Sequence, residues 1–293
     1  MNCDKIKITD CRKIKTMSKT EIVKRIPGLN LKIIADSGQC FRMTENEPGV
    51  FILFSGAHAL RIFQKGNLFR FECSEKEFAG VWQDYFDLHT DYWKIVRTVD
   101  PADAWLSDAV KQADGLRVLK QDFFETLITF IISQQNNIPR IKRCVGLLCE
   151  RYGKRKRRSG IGEYSAFPEA EVLAAADEKD LLSCNLGYRA RYVKEASAQI
   201  EKGEADLRAL QKMSDAEAKA ELLQLTGVGT KVADCVMLFA LHRIDSFPVD
   251  THIRQMLAEH YPDGFPFERY EGFSGILQQF LFYSEIHKEK KPV

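Results

Sequence analysis

The stretch Leu225-Thr226-Gly227-Val228-Gly229-Thr230-Lys231-Val232-Ala233-Asp234-Cys235-Val236-Met237-Leu238-Phe239-Ala240-Leu241 decides how this chain is read. Its glycines lie between two helical patterns, Asp215 to Leu223 and Lys231 to Leu241. Two glycines one residue apart permit a tight turn with exposed backbone amides, and the N-terminus of the following helix can then receive a phosphate. Gly-x-Gly between helices can equally be only a turn, so Gly227 and Gly229 become phosphate-clamp candidates through their context. Lys231 opens a helix that is otherwise mostly apolar. The positive end of the helix dipole and partial desolvation both favour a neutral amine there, and neutral lysine is a nucleophile. An exposed first-turn lysine bound for solvent or a phosphate fits the same residues.

Downstream, Phe247-Pro248-Val249-Asp250-Thr251-His252 brings Asp250 to the expected start of a new helix. Aspartate is a common N-cap, and capping is compatible with catalysis. A carboxylate held by helix amides stays ionised and can stabilise positive charge developing on a sugar as a glycosidic bond breaks. Upstream, Ser214 with Glu217 forms a capping-box pattern that opens the first helix of the hairpin. A further helix is expected from about Tyr188 to Ile200. Phe123, Phe124, Leu127, Ile128, Ile131 and Ile132 make a wide apolar stripe suited to a central buried helix. Pro139 suits the first turn of the next helix, and Gly153 its end.

The N-terminal part reads differently. Val50 to Phe54, Ala59 to Phe63 and Leu68 to Glu72 are β-rich runs separated by Ser55-Gly56 and Lys65-Gly66-Asn67, within a stretch near 30 to 75 that is expected to form an antiparallel sheet. The first 25 residues or so carry no clear pattern. The basic run Lys154-Arg155-Lys156-Arg157-Arg158 between Gly153 and Gly160 is expected in a surface loop, either solvated or steering DNA. The fold class is thus α+β, an N-terminal antiparallel sheet followed by a mainly helical body. The expected division is residues 1–118 for the sheet with linking helices and 119–293 for the helical part, with the hairpin at about 214–241.

The 293 residues are 45% hydrophobic and 29% charged, the composition of a globular chain, and the net charge of +2 leaves any nucleic-acid face to local basicity. Eight cysteines show none of the two-residue spacings common in zinc and iron–sulfur sites, so no metal is expected. Reduced thiols are expected. No signal peptide or membrane span is expected either.

With these residues assembled, the chain resembles the helix-hairpin-helix glycosylase superfamily, and within it the 8-oxoguanine DNA glycosylase/lyase family. The segments that carry the likeness are Leu225 to Leu241 and Pro248 to His252, and further landmarks extend it from about Leu31 to Ile286. The resemblance implies that Lys231 and Asp250 are catalytic. It implies that the Gly38 carbonyl in Ser37-Gly38-Gln39-Cys40-Phe41-Arg42 accepts the N7 proton that 8-oxoguanine carries and guanine lacks. Cys235 and Phe282 would sandwich the flipped base, and Gln278 would read its polar edge. Gln135 and Asn136, in Ser133-Gln134-Gln135-Asn136-Asn137-Ile138-Pro139-Arg140, would fill the hole the base leaves. Tyr188 would wedge the duplex, and Arg140 and Arg189 would donate to the estranged cytosine. Gly227, Gly229 and His252 would contact phosphates. Two departures stand out: Gln135 where the family has asparagine, and Glu285 where an aspartate supports the histidine.

The activity implied is excision of 8-oxoguanine through a lysine Schiff base followed by β-elimination, without a cofactor. Damaged double-stranded DNA is the implied partner, and a monomer located with the chromosome, in cytoplasm or nucleus, is expected. A monofunctional alkylated-base glycosylase shares the hairpin and aspartate but activates water without a lysine. A non-enzymatic helix-hairpin-helix DNA-binding module would use Asp250 only as a cap.

Overall fold

The computed structural model describes residues 21–288. Five antiparallel strands form the N-terminal sheet: β1 (Ile22–Arg25), β2 (Met43–Glu47), β3 (Val50–Ser55), β4 (His58–Lys65) and β5 (Leu68–Phe71), in the order β1-β5-β4-β3-β2. Strands β3 to β5 fall on the three β-rich runs. Phe51 pairs with Ile62 and Ile62 with Phe71, so alternate residues of neighbouring strands reach the same buried face. That face packs against Leu31 and Ile34 of α1 (Leu31–Asp36), together with Trp82 and Phe86.

Three features differ from the sequence reading. Strands β1 and β2 lie at the sheet edges and bury only Ile22 and Met43, so neither shows the alternation that marks an inner strand. Helix α1 stands where strands were expected to begin, capped by Asn30, whose side chain accepts from the amides of Lys32 and Ile33. The basic run is not a loop. It is strand β6 (Arg155–Arg158), paired with β7 (Gly162–Ser165). Alternation turns Arg158 onto Glu77 at 2.7 Å and Lys156 onto the Ala57 carbonyl at 3.1 Å, leaving Arg155 and Arg157 exposed.

The helical body has its own core. The segment 92–118 joins it through Tyr92, Ile95 and helix α2 (Ala104–Gln112), so the sheet's core is drawn from residues 22–86 and Leu119. Helix α3 (Phe123–Ser133) runs through the centre and buries nearly every residue from Phe123 to Ile132. One of these is charged. The Glu125 carboxylate accepts from the Gly56 amide at 2.6 Å and from Arg42 Nη1 at 3.1 Å, joining the sheet to the helical body; burial pushes its pKa up to about 7 against the pull of Arg42. Helix α4 (Ile138–Tyr152) follows with Pro139 in its first turn and Gly153 at its C-cap. Helix α5 (Arg189–Glu201) and the helices of the hairpin, α6 (Asp215–Leu222) and α7 (Thr230–Phe239), then α8 (Thr251–His260) and α9 (Ser274–His287), complete the body. The Ser214–Glu217 capping box is present.

The six described cysteines are free and buried; Cys3 and Cys11 lie outside the described residues. Among the described residues no group of His, Cys, Asp and Glu could hold a metal, and no helix is long and apolar enough to cross a membrane.

Candidate active site and DNA-binding surface

The N-terminus of α7, the start of α8, the α3–α4 loop, the Gly38 turn and α9 converge on one cavity of about 640 Å³. Lys231 is the second residue of α7, after a Gly229 N-cap that offers no side-chain partner to the first helix amides. Those amides remain free for an anion. The Lys231 ammonium lies half-buried, 4.7 Å from the centre of the Phe130 ring, and donates to Ser133 Oγ at 3.1 Å. Phe130 is stacked on Phe239 at 5.3 Å and meets Phe41 edge-on at 5.7 Å, which gives the cavity an aromatic floor. Cys235 lies one turn beyond Lys231 and is buried. Desolvation pushes its thiol up to about 11, with Lys231 pulling the other way, so it presents a neutral thiol to the cavity at ordinary pH.

Asp250 is the N-cap of α8, and its Oδ1 accepts from the Ile253 amide at 2.9 Å. It lines the same cavity as Lys231. The segment before it is held from α9: Gln278 Nε2 donates to the Pro248 carbonyl at 2.9 Å, and Gln278 Oε1 accepts from Gln279 at 2.6 Å. Gln278 is therefore a buried brace as well as a wall residue, which distinguishes it from the surface residue its polarity alone would suggest.

Gly38 has φ +74°, in the left-handed region. A Cβ there would lie 3.0 Å from Ile138 Cδ1 and 3.2 Å from Phe282 Cε1, so a side chain would be strained and would narrow the slot beside Phe282. The peptide is fixed by its buried neighbour. Gln39 donates to Ser37 Oγ and the Arg117 carbonyl, accepts from the Leu119 amide, and its own carbonyl accepts from Gln121. Sequence reasoning missed Gln39, because all but one of its partners lie some eighty residues away.

The DNA-facing candidates separate into exposed and buried groups. Tyr188 is 51% exposed, with Tyr192 edge-on at 5.8 Å, as a wedge requires. Arg140 and His252 are exposed. Asn136 is braced by donating to the Ile132 carbonyl at 3.0 Å, and Gln135 adopts φ +47°, a conformation that asparagine occupies more readily than glutamine. Arg189 differs from the expectation. It is only 4% exposed, and its guanidinium donates to the carbonyls of Gln134, Gln135 and Leu186. In this structure it holds the α3–α4 loop in shape and presents no free fork to an opposite base. Glu285, expected beneath His252, instead pairs with Lys288.

The two hairpin glycines do different work. Gly227 has φ +79°, and a Cβ would lie 2.6 Å from Tyr192 Cβ, whereas Gly229 has ordinary φ and open space around it. Gly227→Ala is expected to lower stability by about 2 kcal/mol or more, combining left-handed strain with overpacking. Gly229→Ala should leave the thermal midpoint unchanged and weaken duplex binding, because its methyl occupies the approach to the helix amides. Thermal unfolding and duplex titration of both variants check this; equal midpoints would refute the division of roles.

A sheet domain, a helix-hairpin-helix and a lysine and aspartate at one cavity define the base-excision class of DNA repair protein. Residues 21–127 match the family model for the N-terminal domain of 8-oxoguanine DNA glycosylase, and residues 128–264 match that of the HhH-GPD superfamily base excision DNA repair protein. The fold is similar to that of MBOgg1 in complex with a low-affinity DNA ligand, with TM-score 0.86 and 34% identity, covering 92% of this chain and 96% of that one. It is also similar to the 8-oxoguanine glycosylase/lyase of Clostridium acetobutylicum in complex with double-stranded DNA containing cytosine opposite the lesion, with TM-score 0.84 and 36% identity, covering 91% of this chain and 95% of that one. The N-glycosylase/DNA lyase of Saccharomyces cerevisiae is 37% identical over 158 residues, 50% of this chain and 42% of that protein. The chain spans less than two thirds of the length of the curated relatives it matches. It belongs to the 8-oxoguanine DNA glycosylase family of the HhH-GPD superfamily.

Proposed function

We propose that the protein is a bifunctional glycosylase and lyase that excises 8-oxoguanine from double-stranded DNA in base excision repair and then cuts the strand. The observation that carries this reading is the shared cavity of Lys231, Asp250, Cys235, Gly38 and Phe282 in a chain of this family. The lesion must leave the stack before its sugar can be attacked. The α7 amides and Gly229 hold a phosphate at the hairpin, and His252 contacts a neighbouring one. Tyr188 wedges the duplex, Gln135 and Asn136 enter the vacated space, and Arg140 donates to the opposite base.

In the cavity the base lies between Cys235 and Phe282, with the Gly38 carbonyl accepting its N7 proton and Gln278 at its polar edge. Lys231, as the neutral amine, attacks C1′; the C1′–N9 bond breaks with its electron pair leaving on the base, and Asp250 stabilises the positive charge on the sugar. The attacking nitrogen gives up a proton to solvent, the resulting hemiaminal opens to a Schiff base as O4′ takes up a proton, the C2′ proton is lost to solvent, and the 3′ phosphate departs by β-elimination. No cofactor enters this sequence, and a single chain supplies every group.

Lys231 favours this reading over an alkylated-base enzyme that activates water. Base release from duplexes carrying 8-oxoguanine, guanine or 3-methyladenine opposite cytosine tests it. Release of 8-oxoguanine about 10⁴-fold faster than guanine is expected, since guanine sets a lone pair against the Gly38 carbonyl. Faster release of 3-methyladenine would overturn the substrate assignment.

A further inference from the structure

One polar side chain, Ser133, touches the Lys231 nitrogen without facing the DNA or the base in the proposed reaction. Ser133 closes helix α3, and its hydroxyl donates to the Phe130 carbonyl at 2.7 Å. With the proton committed there, an oxygen lone pair is left for the Lys231 ammonium at 3.1 Å. The aromatic face of Phe130 attracts that ammonium without fixing its direction. Ser133 therefore gives the Lys231 side-chain nitrogen a directional acceptor, beside the neutral Cys235 thiol one turn along α7.

Ser133 is itself tied down. Its neighbour Gln134 donates to the Gly227 carbonyl at 2.9 Å, and Arg189 holds the Gln134 and Gln135 carbonyls. The hydroxyl is thus connected through one residue to the hairpin and to the α3–α4 loop. A lysine has a flexible four-carbon stem, and attack on carbon requires its nitrogen at one distance and angle. We propose that Ser133 is a positioning residue that aims Lys231 at the reacting sugar carbon, and that Gln134 transmits the position of the hairpin to it. This inference rests on the assignment of Lys231 as the nucleophile.

The test compares Ser133→Thr with Ser133→Val, side chains of one shape that differ in a hydroxyl. Duplex affinity, thermal midpoint, single-turnover 8-oxoguanine release and the rate of borohydride trapping are measured for both and for the wild type. Ser133→Val should slow release and trapping by about 10- to 100-fold with duplex affinity unchanged. Ser133→Thr should recover to within about threefold of wild type. Equal rates in the two variants, slow or fast, overturn the proposal while leaving Lys231 as nucleophile. A wild type that forms no trapped complex overturns the assignment of Lys231, and this proposal with it. Should Ser133→Val fail to fold, Ser133→Ala takes its place, with the same loss of rate expected and wild-type rates overturning the proposal.

Discussion

Lys231→Gln should abolish borohydride trapping on 8-oxoguanine duplexes and reduce base release by several orders of magnitude, while duplex affinity changes by less than about threefold. Glutamine keeps a polar side chain of nearly the same length but cannot form a Schiff base. The substitution removes the 4.7 Å approach of an ammonium to Phe130 and one hydrogen bond, both at a half-buried position, so stability should shift by only about 1 kcal/mol. Binding should survive because the proposed phosphate clamp uses the backbone amides at the start of α7, after the Gly229 N-cap, and not this side chain. The loss therefore belongs to the chemical step. Persistent trapping in Lys231→Gln would show another amine acting. Lost binding would show that Lys231 serves chiefly as a phosphate contact.

Lys231 and Asp250 were legible because the information that places them is local. Gly-x-Gly sets the turn, the next residues start a helix, and an aspartate before a helix caps it. Their meeting at one cavity was not legible from that pattern; it entered with the family resemblance, as did Gly38, whose φ of +74° is not visible in a sequence. Ser133 and Gln39 were missed for a physical reason. Each lies among mixed polar and apolar neighbours with no periodic pattern to single it out, and the partners that distinguish it are about eighty to a hundred residues away.

Arg189 shows the converse. Its residue type suits bidentate recognition of a base, yet burial and three carbonyl acceptors commit it to the loop. The edge strands β1 and β2 lack the alternation that marks the inner ones because an edge strand facing solvent has no need of it; β2 still falls within the stretch expected to form the sheet, whereas β1 lies before it. The inner strands do have that need, and β3 to β5 were read correctly.

Asp250 carries the second large effect, and two substitutions separate its roles. Asp250→Asn keeps a side-chain oxygen able to accept from the Ile253 amide, so the cap on α8 should persist and the thermal midpoint should stay near wild type. The negative charge is lost. Single-turnover release of 8-oxoguanine should fall by about 10²- to 10³-fold, the scale on which a preorganised electrostatic partner acts. Asp250→Ala removes cap and charge together, adding about 1 kcal/mol of destabilisation to the same loss of rate. The substrate can be varied as well. On a duplex with a preformed abasic site no glycosidic bond remains to break, so Asp250→Asn should retain much of its Schiff-base trapping there while releasing 8-oxoguanine slowly. That split assigns the carboxylate to the cationic sugar. Wild-type excision by Asp250→Asn would leave Asp250 with the work of a helix cap alone, and equal losses on both substrates would place its charge in the reaction of Lys231 itself.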